Sequence, residues 1–238
     1  MQISRRLAAG LLAAIALATT AAPGASAELR PLPDCRYDDD LTKYRAYADW
    51  RRTLLDPIYM VPRSYAPTDL LSTADAGLNG GYLVRSVVRD RLRAMGTAAR
   101  NAGAPLAVQS AYRSYATQES AFAAEVRRVG YARAVKQSAR PGHSEHQLGT
   151  TIDFRSYGNT TPAWNYTDWG TTKAGTWLKA NAWRYGFVMS YPKGKTTVTC
   201  YIYEPWHYRY VGPWRAKEIR DRGLTLREYL WYWDGNGY

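Results

Sequence analysis

Ser144-Glu145-His146-Gln147-Leu148-Gly149-Thr150-Thr151-Ile152-Asp153 is the stretch on which the reading of this chain turns. Its second half alternates as a strand does. Thr151, Asp153 and Arg155 share one face, while Ile152 and Phe154 point to a core. Gly149 lets the backbone turn sharply between His146 and that strand without steric cost. An imidazole and a carboxylate on opposite sides of such a turn can converge on one ion.

Further along, Glu204-Pro205-Trp206-His207-Tyr208-Arg209 contains the last of the three histidines, His143, His146 and His207. Pro205 lacks an amide hydrogen and clashes with a preceding helical turn, which argues against a regular helix here. Glu204 is expected at a strand end or turn, and His207 on the next extended piece. The two motifs offer two histidines and one carboxylate, with a second carboxylate to spare. A catalytic zinc needs that set: three protein ligands, an open position for water and a base beside it. The structural alternative has Asp153 capping a turn and Glu204 pairing with an arginine. His143 stands in a Pro-Gly loop and is read as a pocket-rim residue, with a ligand role as the alternative.

Outward from the motifs, 138–149 reads as a polar loop and 150–155 as a strand. Residues 173–185 read as a helix stopped at Gly186. Residues 187–190 and 198–203 read as strands joined by a Pro-Lys-Gly-Lys turn, and 208–211 continues as a strand. A final helix follows Pro213. In the first half, 41–55 reads as a helix, with Leu41, Tyr44, Ala48 and Leu55 on one side. Residues 82–101 form a second helix on the stripe Val84, Val87, Val88, Met95 and Ala99, ended by Gly103 and Pro105. A strand over 106–111 and a helix over 117–129 come next. Helices dominate the first half and short strands the second, with few crossovers, so the fold class is α+β with an antiparallel sheet.

Arg5 and Arg6, the apolar run Leu7 to Thr20 and Ala25-Ser26-Ala27 make a signal-peptide pattern, so the mature chain is expected to start at Glu28. The run is short for a membrane span, which needs about 20 apolar residues. The formal charge of +12 falls by two when Arg5 and Arg6 leave with the leader. In an exported chain the acidic polymers of a cell wall are the natural counter-charge, and nucleic acid is not expected. Two cysteines, Cys35 and Cys200, are expected to pair in an oxidising compartment. The alternative makes Cys200 a metal ligand, since it lies close to the acidic motif.

The motifs resemble those of the VanY-type D-alanyl-D-alanine carboxypeptidases, zinc DD-peptidases of the superfamily that also holds lysostaphin-like peptidases and hedgehog domains. The family pattern is Ser-x-His-x-x-Gly-x-Ala-x-Asp, followed by Glu-Pro-Trp-His. This chain matches at Ser144, His146, Gly149, Asp153, Glu204 and His207, with Thr151 where Ala is usual. Asp56-Pro57, the stretch from Val61 to Leu70, Ser110 to Tyr115 and Asn181 to Val188 extend the similarity. The resemblance implies a hedgehog/DD-peptidase-like antiparallel sheet with flanking helices and an N-terminal helical extension. Residues 28–80 would be that extension, packed on a zinc peptidase domain over 81–238. It also implies one zinc per chain on His146, Asp153 and His207, with Glu204 as general base. Arg113 would face the tetrahedral oxyanion or the substrate's terminal carboxylate, and Gln118 and Ser144 would complete a clamp on that carboxylate. Read from the residues alone, Arg113 is an ordinary surface charge, and Gln118 and Ser144 are helix and turn caps.

The implied activity is hydrolysis of the C-terminal residue of peptidoglycan stem peptides by a secreted, wall-associated enzyme, expected to be monomeric and free in solution after leader cleavage. On the same fold, L,D-carboxypeptidase, D,D-dipeptidase and wall endopeptidase activities are alternatives. So is a wall-binding module with a structural zinc, against which the spare carboxylate of Glu204 argues.

Overall fold

The alternation at 151–155 forms β6 (Thr151–Ser156), an inner strand of an antiparallel sheet. Its neighbours are β5 (Leu106–Ser110) on one side and β8 (His207–Tyr210) on the other, with β7 (Phe187–Met189) beyond β8. The structure is a computed structural model and describes residues 31–232; the leader expected over 1–27 lies outside the described residues. The α+β class with an antiparallel sheet is as expected.

One face of the sheet presents Val108, Ile152, Phe154 and Tyr208, all buried, to a core shared with α1 (Arg89–Asn101) and α4 (Lys173–Asn181). Leu92, Met95 and Ala99 of α1 and Leu178 of α4 are fully buried against it. Burying each of the two leucines and the methionine contributes about 1.5–3 kcal/mol. A second core lies under α6 (Pro213–Arg222) and α7 (Leu226–Tyr232), where Leu54 and Val211 meet Ile219, Leu226 and Leu230. On the cavity side stand α2 (Tyr115–Val129), capped by the Ser114 hydroxyl, and α3 (Tyr131–Gln137), which the sequence reading did not foresee.

Five expectations are corrected. Residues 41–55 do not form a helix. They hold β1 (Asp40–Leu41), paired in parallel with β2 (Tyr59–Met60), and a single 3-10 turn at Tyr47–Asp49. The apolar residues explain why: Trp50, Leu54 and Leu55 each bury in a different cluster, which one helix face cannot do. Residues 82–101 are helical only from Arg89. Leu83–Arg85 is β4, paired antiparallel with β3 (Leu70–Ser72), so the burial of Val84 imitates a helix stripe. Residues 198–203 are not a strand. The short helix α5 (Thr196–Thr199) ends at Cys200, whose φ of +69° closes the turn, and the Thr199 hydroxyl donates to the Lys195 carbonyl. The loop over 138–149 is polar but its end is buried from Gly142 onward, with a 3-10 turn at Glu145–Leu148. The helix expected over 173–185 tightens to 3-10 geometry at Ala182–Tyr185 before Gly186.

Candidate metal centre

Register brings the two motifs together. Asp153 on β6 stands directly opposite His207 on β8. On its other side Asp153 faces Ser110, across a shift in the β5 register between Val108 and Ser110. His146 arrives from the 3-10 turn before β6, which Gly149 closes with φ +70°. A Cβ at Gly149 would stand 2.8 Å from Cγ of Arg85, so space and conformation both require glycine there.

His146, Asp153 and His207 present ligand atoms that all lie within 4.8 Å of one another. His146 Nε2 is 3.1 Å from Asp153 Oδ2, and His207 Nδ1 is 3.0 Å from Asp153 Oδ1. Yet His146 Nε2 and Asp153 Oδ1 are buried with no hydrogen-bond partner. Buried polar atoms are normally satisfied, so close atoms that face one point without bonding fit a cation between them. The other nitrogen of each histidine is fixed. His146 Nδ1 is 2.6 Å from the Ala111 carbonyl, and His207 Nε2 is 3.0 Å from Glu145 Oε2. Such partners set the tautomer and aim the remaining nitrogen. The residues therefore suit a zinc with an open position.

Charge supports the same reading. Burial, followed by the nearby Arg113, pushes His146 down to about 4, so it is neutral and able to ligate. Burial opposes the charge on Asp153, but His146 and His207 overcome it and hold the carboxyl well below its usual range. Burial also opposes charge on His207, yet Asp153 and Glu145 raise it to about 10. Surroundings that favour a proton on His207 favour a divalent cation in its place.

Glu204 lies beside this cluster, with Oε2 3.5 Å from His207 Nδ1. Burial pushes it up to about 8. Arg113 Nη2 is 3.8 Å from Asp153 Oδ2, and its backbone amide donates to the His146 carbonyl at 3.3 Å. A cavity of about 650 Å³ opens on the cluster and is lined by Arg113, Ser144, Glu204 and Trp206, and also by Trp164 and Asn165. Ser144 makes no side-chain cap of its turn. Gln118 does not line the cavity. Its amide nitrogen donates 2.6 Å to the Ala139 carbonyl, and so holds a loop that does. His143 is not on the rim as expected. It is buried, with Nδ1 2.8 Å from the Asp56 carbonyl and Nε2 3.1 Å from Asp39, because the N-terminal segment covers it. Cys35 and Cys200 are bonded to each other with Cα atoms 5.4 Å apart, which removes Cys200 as a ligand.

The sequence reading missed Glu145. Its carboxylate is buried and accepts from His207, from the Ser190 hydroxyl at 2.6 Å and from Arg209 at 3.0 Å. Burial works against its charge, but Arg209 and His207 hold it down to about 2. The Nη2 of Arg209, fully buried, donates to the carbonyls of Trp50 and Thr53, both at 2.7 Å. A signal was present: each histidine motif carries an opposite charge one or two residues from its histidine, Glu145 in one and Arg209 in the other.

Comparison with known proteins agrees with this geometry. The YodJ protein of Bacillus subtilis is 40% identical over 183 residues, covering 74% of this chain and 66% of its own length. The chain spans two thirds or less of the curated relatives it matches. The solved structure of the LdcB LD-carboxypeptidase, described as revealing the basis of peptidoglycan recognition, superposes with a TM-score of 0.69. It is 33% identical and covers 82% of this chain and 97% of its own. A mutant of the vancomycin-resistance D,D-pentapeptidase VanY in complex with Zn(II) gives a TM-score of 0.64 at 33% identity, covering 76% and 99%. The hedgehog/DD-peptidase-like fold is thus shared with both solved peptidases. The family model described as VanY, D-alanyl-D-alanine carboxypeptidase, matches residues 81–213, which include both histidine motifs. With more than half of its length matched and its fold in common with both solved structures, this chain belongs to the VanY D-alanyl-D-alanine carboxypeptidase family.

Proposed function

We propose that the protein is a secreted zinc carboxypeptidase that removes the terminal D-alanine from the D-Ala-D-Ala end of peptidoglycan stem peptides. The observation that carries this reading is a second, largely buried carboxylate, Glu204, beside the three-residue cluster and lining a cavity of about 650 Å³. A purely structural metal site has no use for such a base. His146 Nε2, an oxygen of Asp153 and His207 Nδ1 would hold the zinc. When bound, zinc supplies Lewis-acid polarisation of the scissile carbonyl and a water of lowered pKa.

The chain's own residues do the rest. Glu204 accepts the proton of the attacking water at its carboxylate and delivers it to the departing amine. Burial raises Glu204 to about 8, and a divalent cation held beside it would favour its ionised, base-competent form. Arg113 directs its guanidinium at the terminal carboxylate or the oxyanion, and Ser144 adds a hydroxyl from the cavity wall. Gln118 contributes by holding the loop at Ala139. Peptidoglycan stem peptides are the partners. A mature chain from Glu28 acts outside the cell as a monomer, with residues 28–80 an extension on the peptidase domain over 81–238. The Cys35–Cys200 bond supports an oxidising compartment.

The likeness to LdcB favours a second reading, L,D-carboxypeptidase activity on tetrapeptides. Mass spectrometry of zinc-loaded protein incubated with pentapeptide and tetrapeptide stems separates the two. Loss of one D-alanine from the pentapeptide supports the first reading, and loss from the tetrapeptide alone supports the second. Glu204→Gln should keep zinc and lower turnover by at least about 10²–10⁴-fold. A variant with wild-type rates would remove Glu204 from the mechanism.

A further inference from the structure

We propose that the mouth of the cavity binds the sugar to which a stem peptide is attached, with Trp164 as the stacking platform and Asn165 as its polar partner. The inference rests on the peptidase reading above and narrows its substrate from free peptides to glycan-linked ones.

Trp164 and Asn165 belong to a 3-10 turn, Ala163–Asn165, and both line the cavity. Ala163 is fully buried, as is Trp169 a few residues on, so the turn is anchored from below. Trp164 is nevertheless 49% exposed. A solitary exposed aromatic is ordinary on a protein surface. This one is braced at the edge of the candidate site. Trp206, between Glu204 and His207 in sequence, meets it edge-on with ring centroids 6.2 Å apart at 71°. With that contact made, about half of Trp164 remains exposed beside the cavity it lines.

That combination suits an amphipathic ligand. A pyranose ring carries a patch of C–H groups that fits the electron-rich face of an indole. Its hydroxyl and N-acetyl groups need hydrogen-bond partners at the same time. The Asn165 carboxamide offers both donor and acceptor capacity, is exposed, and makes no side-chain hydrogen bond among the described residues. An apolar side chain of a peptide would use the indole and leave the amide idle. Binding energy gathered at the sugar, away from the scissile bond, would align the peptide at Glu204 and Arg113.

Titration calorimetry on zinc-loaded protein tests this with two probes, a disaccharide-linked tripeptide and the same tripeptide without sugar. Neither needs to be cleaved, so the result does not depend on turnover. Wild-type protein should bind the glycan-linked form roughly three- to tenfold more tightly, the worth of one aromatic stacking contact. Trp164→Ala should bring the ratio of affinities close to one, while Trp164→Phe keeps part of it. Thermal melts and zinc content confirm that each variant is folded. Equal wild-type affinity for the two probes would overturn the proposal. So would a Trp164→Ala variant that keeps the ratio, or one that weakens both probes equally, since the indole would then touch peptide and not sugar. If the pentapeptide assay fails while the ratio holds, the sugar site stands and the peptidase reading falls.

Discussion

Replacing Glu145 by alanine tests whether the buried charge network braces the metal cluster. The substitution removes the acceptor of three groups at once: Ser190 Oγ, His207 Nε2 and Arg209 Nη1. Arg209 is fully buried and would keep its two carbonyl contacts but lose its counter-charge. Breaking a buried pair by removing one partner costs about 3–5 kcal/mol, because the other charge is left uncompensated. Linkage gives a similar size. A carboxyl held at about 2 instead of its ordinary 4.5 contributes on the order of 3 kcal/mol. The sign follows from the lowered value: the contribution is complete above the unfolded value near 4.5 and is lost as pH falls through 2. His207 would also lose the partner that aims its Nδ1, which typically weakens metal affinity by about 10–100-fold. Urea unfolding at pH 7, with and without zinc, reads the first effect. Competition against a chelator of known affinity reads the second. Glu145→Gln, which keeps the shape and some hydrogen bonds, should fall between wild type and alanine in both. If Glu145→Ala unfolds within about 1 kcal/mol of wild type and holds zinc as tightly, the network is incidental to the site.

His146→Ala should purify with much less than the one zinc expected per chain, and equal metal content in variant and wild type would remove His146 from the ligand set. Arg113→Ala should keep zinc and lose about 10²–10³ in rate, the usual cost of one oxyanion-type donor, whereas near-normal kcat/KM would return Arg113 to an ordinary charge. Replacing Cys35 and Cys200 together by serine should lower stability by about 2–5 kcal/mol and reduce Tm, since the bond closes a loop with sequence separation 165. An unchanged melting curve would show that the bond constrains little.

The parts of the molecule legible in the sequence are those where a local pattern and the tertiary environment agree. Ile152 and Phe154 alternate with Asp153 because β6 has one face on the core and one on the cavity, and the strand formed as read. The two motifs announced a metal cluster because histidine, acid and glycine at those spacings have few other uses. Legibility failed where distant partners decide the backbone. Residues 41–55 carry helix-like spacing, but three clusters and the Arg209 side chain take their apolar groups and carbonyls. Thr196 to Thr199 are strand formers by composition, yet Thr199 bonds back to Lys195 and Cys200 turns toward Cys35. His143 looked like a rim residue because Asp39 and Asp56, about 90–100 positions away, could not be placed beside it from sequence.

Residues 81–213 contain both histidine motifs, but they are not a portable unit. The guanidinium of Arg209 finds two of its acceptors at Trp50 and Thr53, upstream of that span, and the same guanidinium steadies the acid that aims His207. A fragment cut at residue 80 would leave those donors unmet inside the protein, at about 1–3 kcal/mol for each unsatisfied group. It would also strip the cover from His143. A graft of this metal centre into another protein has to carry the upstream strap along, with the splice placed before Trp50 and, to keep the cross-link, before Cys35.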